Sequence, residues 1–327
     1  MGKGKSLTVS GGFGRITGAG GKIGERIMFF NHVRGKYQLI QGSRRMKKKG
    51  FTLIELLVVI SIIALLLAIL MPALAKVKLK AASVVCLTNV KNLSLGWFMY
   101  QENSDGWIMG CNMNATLNGT RVGWIGAPRN ESGTTLTYWS TSPVTDEDEI
   151  RGIKWGVLWP YVEAPDAFNC PVDKVKSLYD GGEKLVTYAV PYALNSSPGS
   201  STTPQIRKYG QLSRPSSRYI FVETAETRNY TLLGHWVFAT PETTNDSSYG
   251  WWGPMAVNHG DSSTLGFADG HSENHVWRDS YTKERVEKLI KQGGGTYGQT
   301  YPGDLPEFPI EMVTDLNYMV KGWPYHP

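Results

Sequence analysis

The stretch KKKGFTLIELLVVISIIALLLAIL, residues 47–70, decides how the rest of the chain is read. From Phe51 to Leu70 nearly every side chain is apolar. Helical residues rise about 1.5 Å each, so this run covers about 30 Å, the thickness of a bilayer's hydrocarbon core. A single carboxylate, Glu55, lies inside it. An acid near the middle of a membrane helix costs about 2.5–3.5 kcal/mol, and less near the interface, so an isolated one implies a partner. Were the chain cut between Gly50 and Phe51, the new α-amino group would lie within a helical turn of Glu55, or beside the Glu55 of a neighbouring copy. The positive charge made by that cut would neutralise the acid.

Beyond Pro72 the apolar residues change from continuous to periodic. Leu79, Ala82, Cys86, Val90, Leu93, Trp97 and Tyr100 recur every three or four positions and share one helical face. Lys76, Lys80, Ser83, Lys91 and Ser94 are expected mostly on the rest of the circumference. One helix is therefore predicted over 52–101, about 75 Å long if unbroken, with a kink or loosening at Pro72. Asn103-Ser104-Asp105-Gly106 supplies its stop. The remainder is long enough for one sizeable core and has the texture of strands and loops. Strands are expected near 186–194, 218–223, 232–238, 264–268 and 272–277, with surface loops near 195–205 and 243–250. Charges alternating around Val286, Leu289 and Ile290 predict a short helix over 282–292, ended by Gly293, Gly294 and Gly295. The proline-dotted residues 296–327 read as coil. The fold class expected is α+β.

The order Lys47-Lys48-Lys49-Gly50-Phe51-Thr52-Leu53-Ile54-Glu55 resembles the class III signal of type IV pilins and type II secretion pseudopilins. The resemblance implies that a prepilin peptidase cuts after Gly50 and methylates Phe51, that Glu55 registers one subunit against the amine of another, and that Pro72 bends the first helix. Two further patches are similar to pilin-like proteins that carry an H-X9-DG domain. One is Trp155-Gly156-Val157-Leu158-Trp159-Pro160-Tyr161-Val162 with Phe168-Asn169-Cys170-Pro171-Val172-Asp173; the other is His259 with Asp269-Gly270. Residues 106–150 and the terminal tail are not touched by the resemblance. The family implies a pilin-like arrangement, a long N-terminal helix on an antiparallel β-rich domain.

Charge supports this division of the chain. Residues 1–50 hold twelve Lys or Arg and one acid, Glu25; without them the chain's 34 basic and 28 acidic residues become 22 and 27, a formal net charge of −5 in place of +6. The basic character belongs to the leader, so no nucleic-acid partner is expected. Arg44, Arg45 and Lys47 to Lys49 before the span keep the N-terminus cytoplasmic; Lys76, Lys78 and Lys80 after it weaken the asymmetry without reversing it. Short leaders are common in the resembled family, and Met46 would give one, so residues 1–45 read as a mis-assigned start or a disordered extension. The domains expected are 1–50, a basic leader; 51–103, the membrane and assembly helix; 104–295, a globular domain; and 296–327, the tail.

Other candidate chemistry is weaker. Asp269-Gly270 between two strands has the composition of a two-residue type I′ turn, which needs φ > 0 at both positions, with His259 hydrogen-bonding nearby. A metal or catalytic cluster of His259, Asp269, His271 and His275 is the competing interpretation, and no zincin spacing supports it. Cys86, Cys111 and Cys170 would all lie outside the cytoplasm, where disulfides persist, and three pairings are open. Cys86 and Cys170 fall at motif positions of the resembled family, which singles out that pair; free buried thiols are the plain alternative. All eleven Trp lie after residue 96, including Trp251-Trp252, and are expected to build a core in preference to a sugar-stacking surface. The acidic run 146–149 lacks the ligand pattern of a calcium loop and reads as a solvated loop.

The function expected is that of a structural subunit, not an enzyme, with no cofactor or metal. It is held in the inner membrane with its C-terminal domain outside the cytoplasm, then built into a type II secretion-like or type IV pilus-like fibre. Its partners would be the prepilin peptidase, other pilin or pseudopilin subunits, the inner-membrane assembly machinery and the bilayer. The rival is a membrane-anchored binding protein for carbohydrate or polymer, or a hydrolase, that uses the signal for export. Mass spectrometry of the mature N-terminus is expected to find methylated Phe51; a chain starting at Lys76, after the Ala73-Leu74-Ala75 sequence, would instead indicate ordinary signal-peptide removal.

Overall fold

The computed structural model describes residues 51–136, 144–173, 175, 184–196, 205–225, 234–236, 238–239, 250–251, 255–291 and 314–324. The leader with Gly50, the loop segments 197–204 and 243–249, Trp252, the glycine run 293–295 and residues 296–313 of the tail lie outside the described residues. The chain divides into two compact units, Met1–Leu57 and Val58–Pro327.

Helix α1 spans Leu53–Glu102, within a residue of the expected bounds at each end. It continues through Pro72, although a proline removes one backbone donor, so the loosening expected there does not interrupt the helix. Residues 58–78 are exposed all round, and α1 is long and apolar enough to cross a membrane. From residue 79 one face turns inward: Ala82, Cys86, Val90, Leu93 and Trp97 are buried, as their spacing predicts. Ser83 and Ser94, expected among the outer residues, are buried with them. Ser83 accepts a hydrogen bond from Asn274 Nδ2 at 2.7 Å. Small hydroxyl residues at these positions let the helix lie close to the sheet.

After α1 come a short ribbon of β1 (Thr116–Leu117) and β2 (Thr120–Arg121), then helices α2 (Asp146–Trp155) and α3 (Trp159–Val162). Strands β3 (Tyr188–Pro191), β4 (Tyr219–Glu223) and β5 (His235–Trp236) follow, then the pair β6 (Phe238–Ala239) and β7 (Gly250–Trp251). The hairpin β8 (Ser262–Phe267) and β9 (Ser272–Val276) leads to helices α4 (Ser280–Lys291) and α5 (Thr314–Gly322). The main sheet runs β5-β3-β4-β8-β9 and is antiparallel except for the β3–β5 pair.

The sheet is covered on both faces. Val190, Ile220 and Phe221 join a core with Val90, Leu93 and Trp97 of α1, whereas Tyr219, Val222, Leu265 and Phe267 join a core with Met319 and Trp323 of the C-terminal region. Neighbours Ile220 and Phe221 share a face because the β4–β8 register slips between Tyr219 and Phe221, the signature of a bulge. Double coverage is why β4 and β8 are buried at every residue and show no polar alternation.

Two expectations are corrected here. The tail is not all coil: α5 packs under the sheet, held by Arg218, whose guanidinium donates to the carbonyls of Lys321 at 2.6 Å and Trp323 at 3.1 Å. The acidic run 146–149 is the first turn of α2 and not a loop. Thr145 and Asp148 form a reciprocal capping box, and acids at a helix N-terminus complement its dipole.

The tightest point of the helix–sheet contact is Gly266 of β8. A Cβ there would lie 2.2 Å from Ser94 Oγ and 2.7 Å from Val90 Cγ1. Gly266→Ala is expected to lower stability by about 1–3 kcal/mol in urea unfolding of the detergent-solubilised chain, as overpacking does. Gly210→Ala, with nothing within 4 Å of the added carbon, is the control expected to stay near wild type.

Candidate functional site

Two places concentrate chemistry. The first is the start of α1, where the backbone N–H and the hydroxyl of Thr52 both donate to Glu55 Oε2 at 2.8 Å, and Glu55 N–H donates back to Thr52 Oγ1 at 3.2 Å. This is a reciprocal capping box, two of the helix's orphan donors satisfied by one Thr-x-x-Glu pair. The Thr-x-x-Glu order of Thr52-Leu53-Ile54-Glu55 ahead of an apolar run is the sequence signal for this cap. Capping fixes the carboxylate at the helix end nearest Phe51, which is exposed.

The second is buried inside the outer domain. Cys86 from α1, Cys170 from the turn after residue 168, Glu223 from β4 and His259 from the segment before β8 bring one ligand-type atom each to within 4.8 Å of one another. Cys86 Sγ and Cys170 Sγ are 3.0 Å apart, as thiols. His259 Nε2 lies 3.5 Å from Cys170 Sγ and 3.0 Å from Glu223 Oε1. Glu223 Oε2 accepts the Thr264 backbone N–H at 2.9 Å.

Hydrogen bonds fix the placement of Cys170 and His259. In Cys170-Pro171-Val172-Asp173 the Asp173 N–H closes a turn on the Cys170 carbonyl, and Cys170 N–H donates to Thr187 Oγ1 at 3.0 Å. The Thr187 hydroxyl in turn donates to Asp173 Oδ2 at 3.0 Å, and Asp173 pairs with buried Lys184 at 2.9 Å. The turn that aims Cys170 is thus anchored by an internal ion pair. His259 is fixed through its backbone, which exchanges hydrogen bonds with Ser262.

Burial disfavours a charged His259 ring, but its hydrogen bonds to Cys170 and Glu223, with the negative charge beside it, outweigh that and push it up to about 10. The Cys86 thiol alongside, together with burial, raises Cys170 far above the ordinary thiol range.

His259 and Asp269-Gly270 do not meet. They stand at opposite ends of β8, and the His259 ring serves Glu223 and Cys170, not the turn. The turn itself differs from the expected type. Gly270 N–H donates to Phe267 O and Phe267 N–H to His271 O, while Gly270 has φ +90° and Asp269 is not left-handed. That is a three-residue loop with a left-handed glycine, the pattern of a type I turn with a bulge. Asp269 pairs with His271 at the surface, and His275 stacks on Tyr318 with ring centroids 3.8 Å apart. The four-residue His/Asp cluster is therefore not assembled. Cys111 is buried elsewhere, 3.7 Å from the Tyr192 carbonyl. Trp97, Trp124, Trp236 and Trp277 are fully buried core residues, whereas Trp107 is exposed, so the expectation of a tryptophan core holds only in part.

Residues 45–71 match the family model described as a prokaryotic N-terminal methylation motif. No curated protein and no solved structure gives a significant match to the chain. The motif coincides with the capped start of the apolar helix. Together they place a prepilin-type N-terminal methylation signal on a helix long and apolar enough to cross a membrane.

The Lys184–Asp173 pair yields a direct test of the second site's framework. Removing one partner leaves a buried charge uncompensated, so Lys184→Met is expected to cost about 3–5 kcal/mol in urea unfolding. Adding Asp173→Asn should recover part of that loss by removing the stranded charge.

Proposed function

We propose that the chain is a pilin-like or pseudopilin-like structural subunit with an H-X9-DG-type outer domain. The prepilin peptidase cuts the Gly50–Phe51 bond and methylates the new amine. Until extraction, α1 holds the protein in the inner membrane, with the N-terminus cytoplasmic and residues beyond the span outside. Assembly machinery then moves subunits into a fibre whose interior is lined by the apolar parts of α1 helices. The role is mechanical and not catalytic.

The observation that carries this reading is the placement of Glu55. Its methylation-motif context and its cap on Thr52 put a carboxylate one turn from the amine that cleavage would expose. Hydrogen bonds from Thr52 complete the helix end, but they do not cancel a full negative charge in hydrocarbon. The amine does.

Capping and charge are separable by mutation. Glu55→Gln keeps a capping-box side chain and removes the charge; Thr52→Ala weakens the cap and keeps the charge. Both variants and wild type are expected to be cleaved equally by the peptidase, followed by immunoblot. Glu55→Gln is expected to reduce the sheared-fibre fraction about tenfold or more, whereas Thr52→Ala leaves most of it. Full fibre yield from Glu55→Gln would refute the subunit role proposed for this acid.

A further inference from the structure

We propose that Cys86, Cys170, Glu223 and His259 form a structural binding site for one divalent transition-metal ion of the zinc class. The donor set is two sulfurs, one imidazole nitrogen and one carboxylate oxygen, all buried and all within 4.8 Å of one another. Four protein ligands of this kind suit a closed tetrahedral centre. With Zn–S near 2.3 Å and Zn–N or Zn–O near 2.0–2.1 Å, the edges of such a tetrahedron are about 3.3–3.8 Å. The observed separations of 3.0, 3.5 and 3.0 Å along the chain Cys86, Cys170, His259, Glu223 lie within about 1 Å of those edges. Small outward movements of the side chains would admit an ion.

The protons present account for only part of this convergence. His259 Nε2 faces both the Cys170 sulfur and the Glu223 oxygen, and a single N–H points well at only one. Glu223 Oε2 is already occupied by the Thr264 N–H. A Cys86–Cys170 disulfide would use the two sulfurs and give the imidazole and carboxylate no reason to lie against them. A dication engages all four. Binding displaces the protons of both thiols and any proton held between His259 and Glu223 to solvent, with no change of oxidation state. Since the donors come from α1, a turn, β4 and the β8 approach, the ion would tie the helix to the sheet.

The test uses the full chain, extracted in detergent without a metal-affinity tag or chelator; for the disulfide map alone, the thiols of a parallel sample are blocked in intact cells. Elemental analysis by mass spectrometry is expected to find about one zinc-class ion per chain, and non-reducing peptide mapping to find no Cys86–Cys170 link. Cobalt exchanged into the protein should show thiolate-to-metal charge-transfer absorption. Cys170→Ala and Glu223→Gln should each lower metal content or affinity about tenfold or more, while Cys111→Ala leaves both unchanged. Wild-type protein with a Cys86–Cys170 disulfide and no metal, or with two free thiols and no metal, would overturn the proposal. That result is read on wild type and does not depend on any variant folding.

Discussion

The outer domain depends on one close approach: α1 crosses β8 where Gly266 has no side chain, so Ser94 and Val90 occupy the space a Cβ would fill. Bringing the helix this near buries Val90, Leu93 and Trp97 against Ile220 and Phe221 of β4. The β4 bulge turns two consecutive residues to that face, while α5 covers the other face through Tyr219, Met319 and Trp323. The same approach holds Cys86 over the Cys170 turn.

Much of this was legible in the sequence because it is periodic. The face of Ala82, Cys86, Val90, Leu93 and Trp97 follows the helical repeat, and β4, β8 and β9 are runs of strand-forming residues between turn signals. What escaped notice is non-periodic or locally misleading. Residues 314–322 form a helix after a proline-rich stretch, and its stability comes from Arg218 and Tyr219, about a hundred positions away. Four consecutive acids read as a solvated loop, whereas Thr145 caps them into the first turn of a helix. Asp-Gly indicated a hairpin correctly, yet the loop closes on three residues, since only the glycine takes positive φ.

The buried cluster was not legible as a unit. Cys86, Cys170, Glu223 and His259 are spread over 174 residues with no close-spaced ligand pair, and Glu223 reads as the end of an ordinary strand. The resemblance pointed to the two cysteines and, separately, to His259. It gave no reason to join them, and the histidines nearest in sequence, His271 and His275, turn to other partners. Only tertiary structure shows that the first residue of the H-X9-DG pattern belongs to the cysteines and its last two to a turn.

Both acids that matter here stand where an isolated carboxylate is costly, Glu55 in an apolar helix and Glu223 in the buried core, and each receives local hydrogen bonds. Glu55 receives two bonds from Thr52, and Glu223 receives one from Thr264 and faces His259. Such bonds satisfy lone pairs, but a charge in low dielectric also needs an opposite charge. For Glu55 the proposed partner is the amine that cleavage would expose; for Glu223 the neighbouring His259 ring, pushed toward its charged form, supplies one, and the proposed metal ion would take over that part. Sequences that fold well break local rules mainly where function demands it. Among the described residues these two carboxylates are such places, one at the start of the apolar helix and one where that helix meets the sheet.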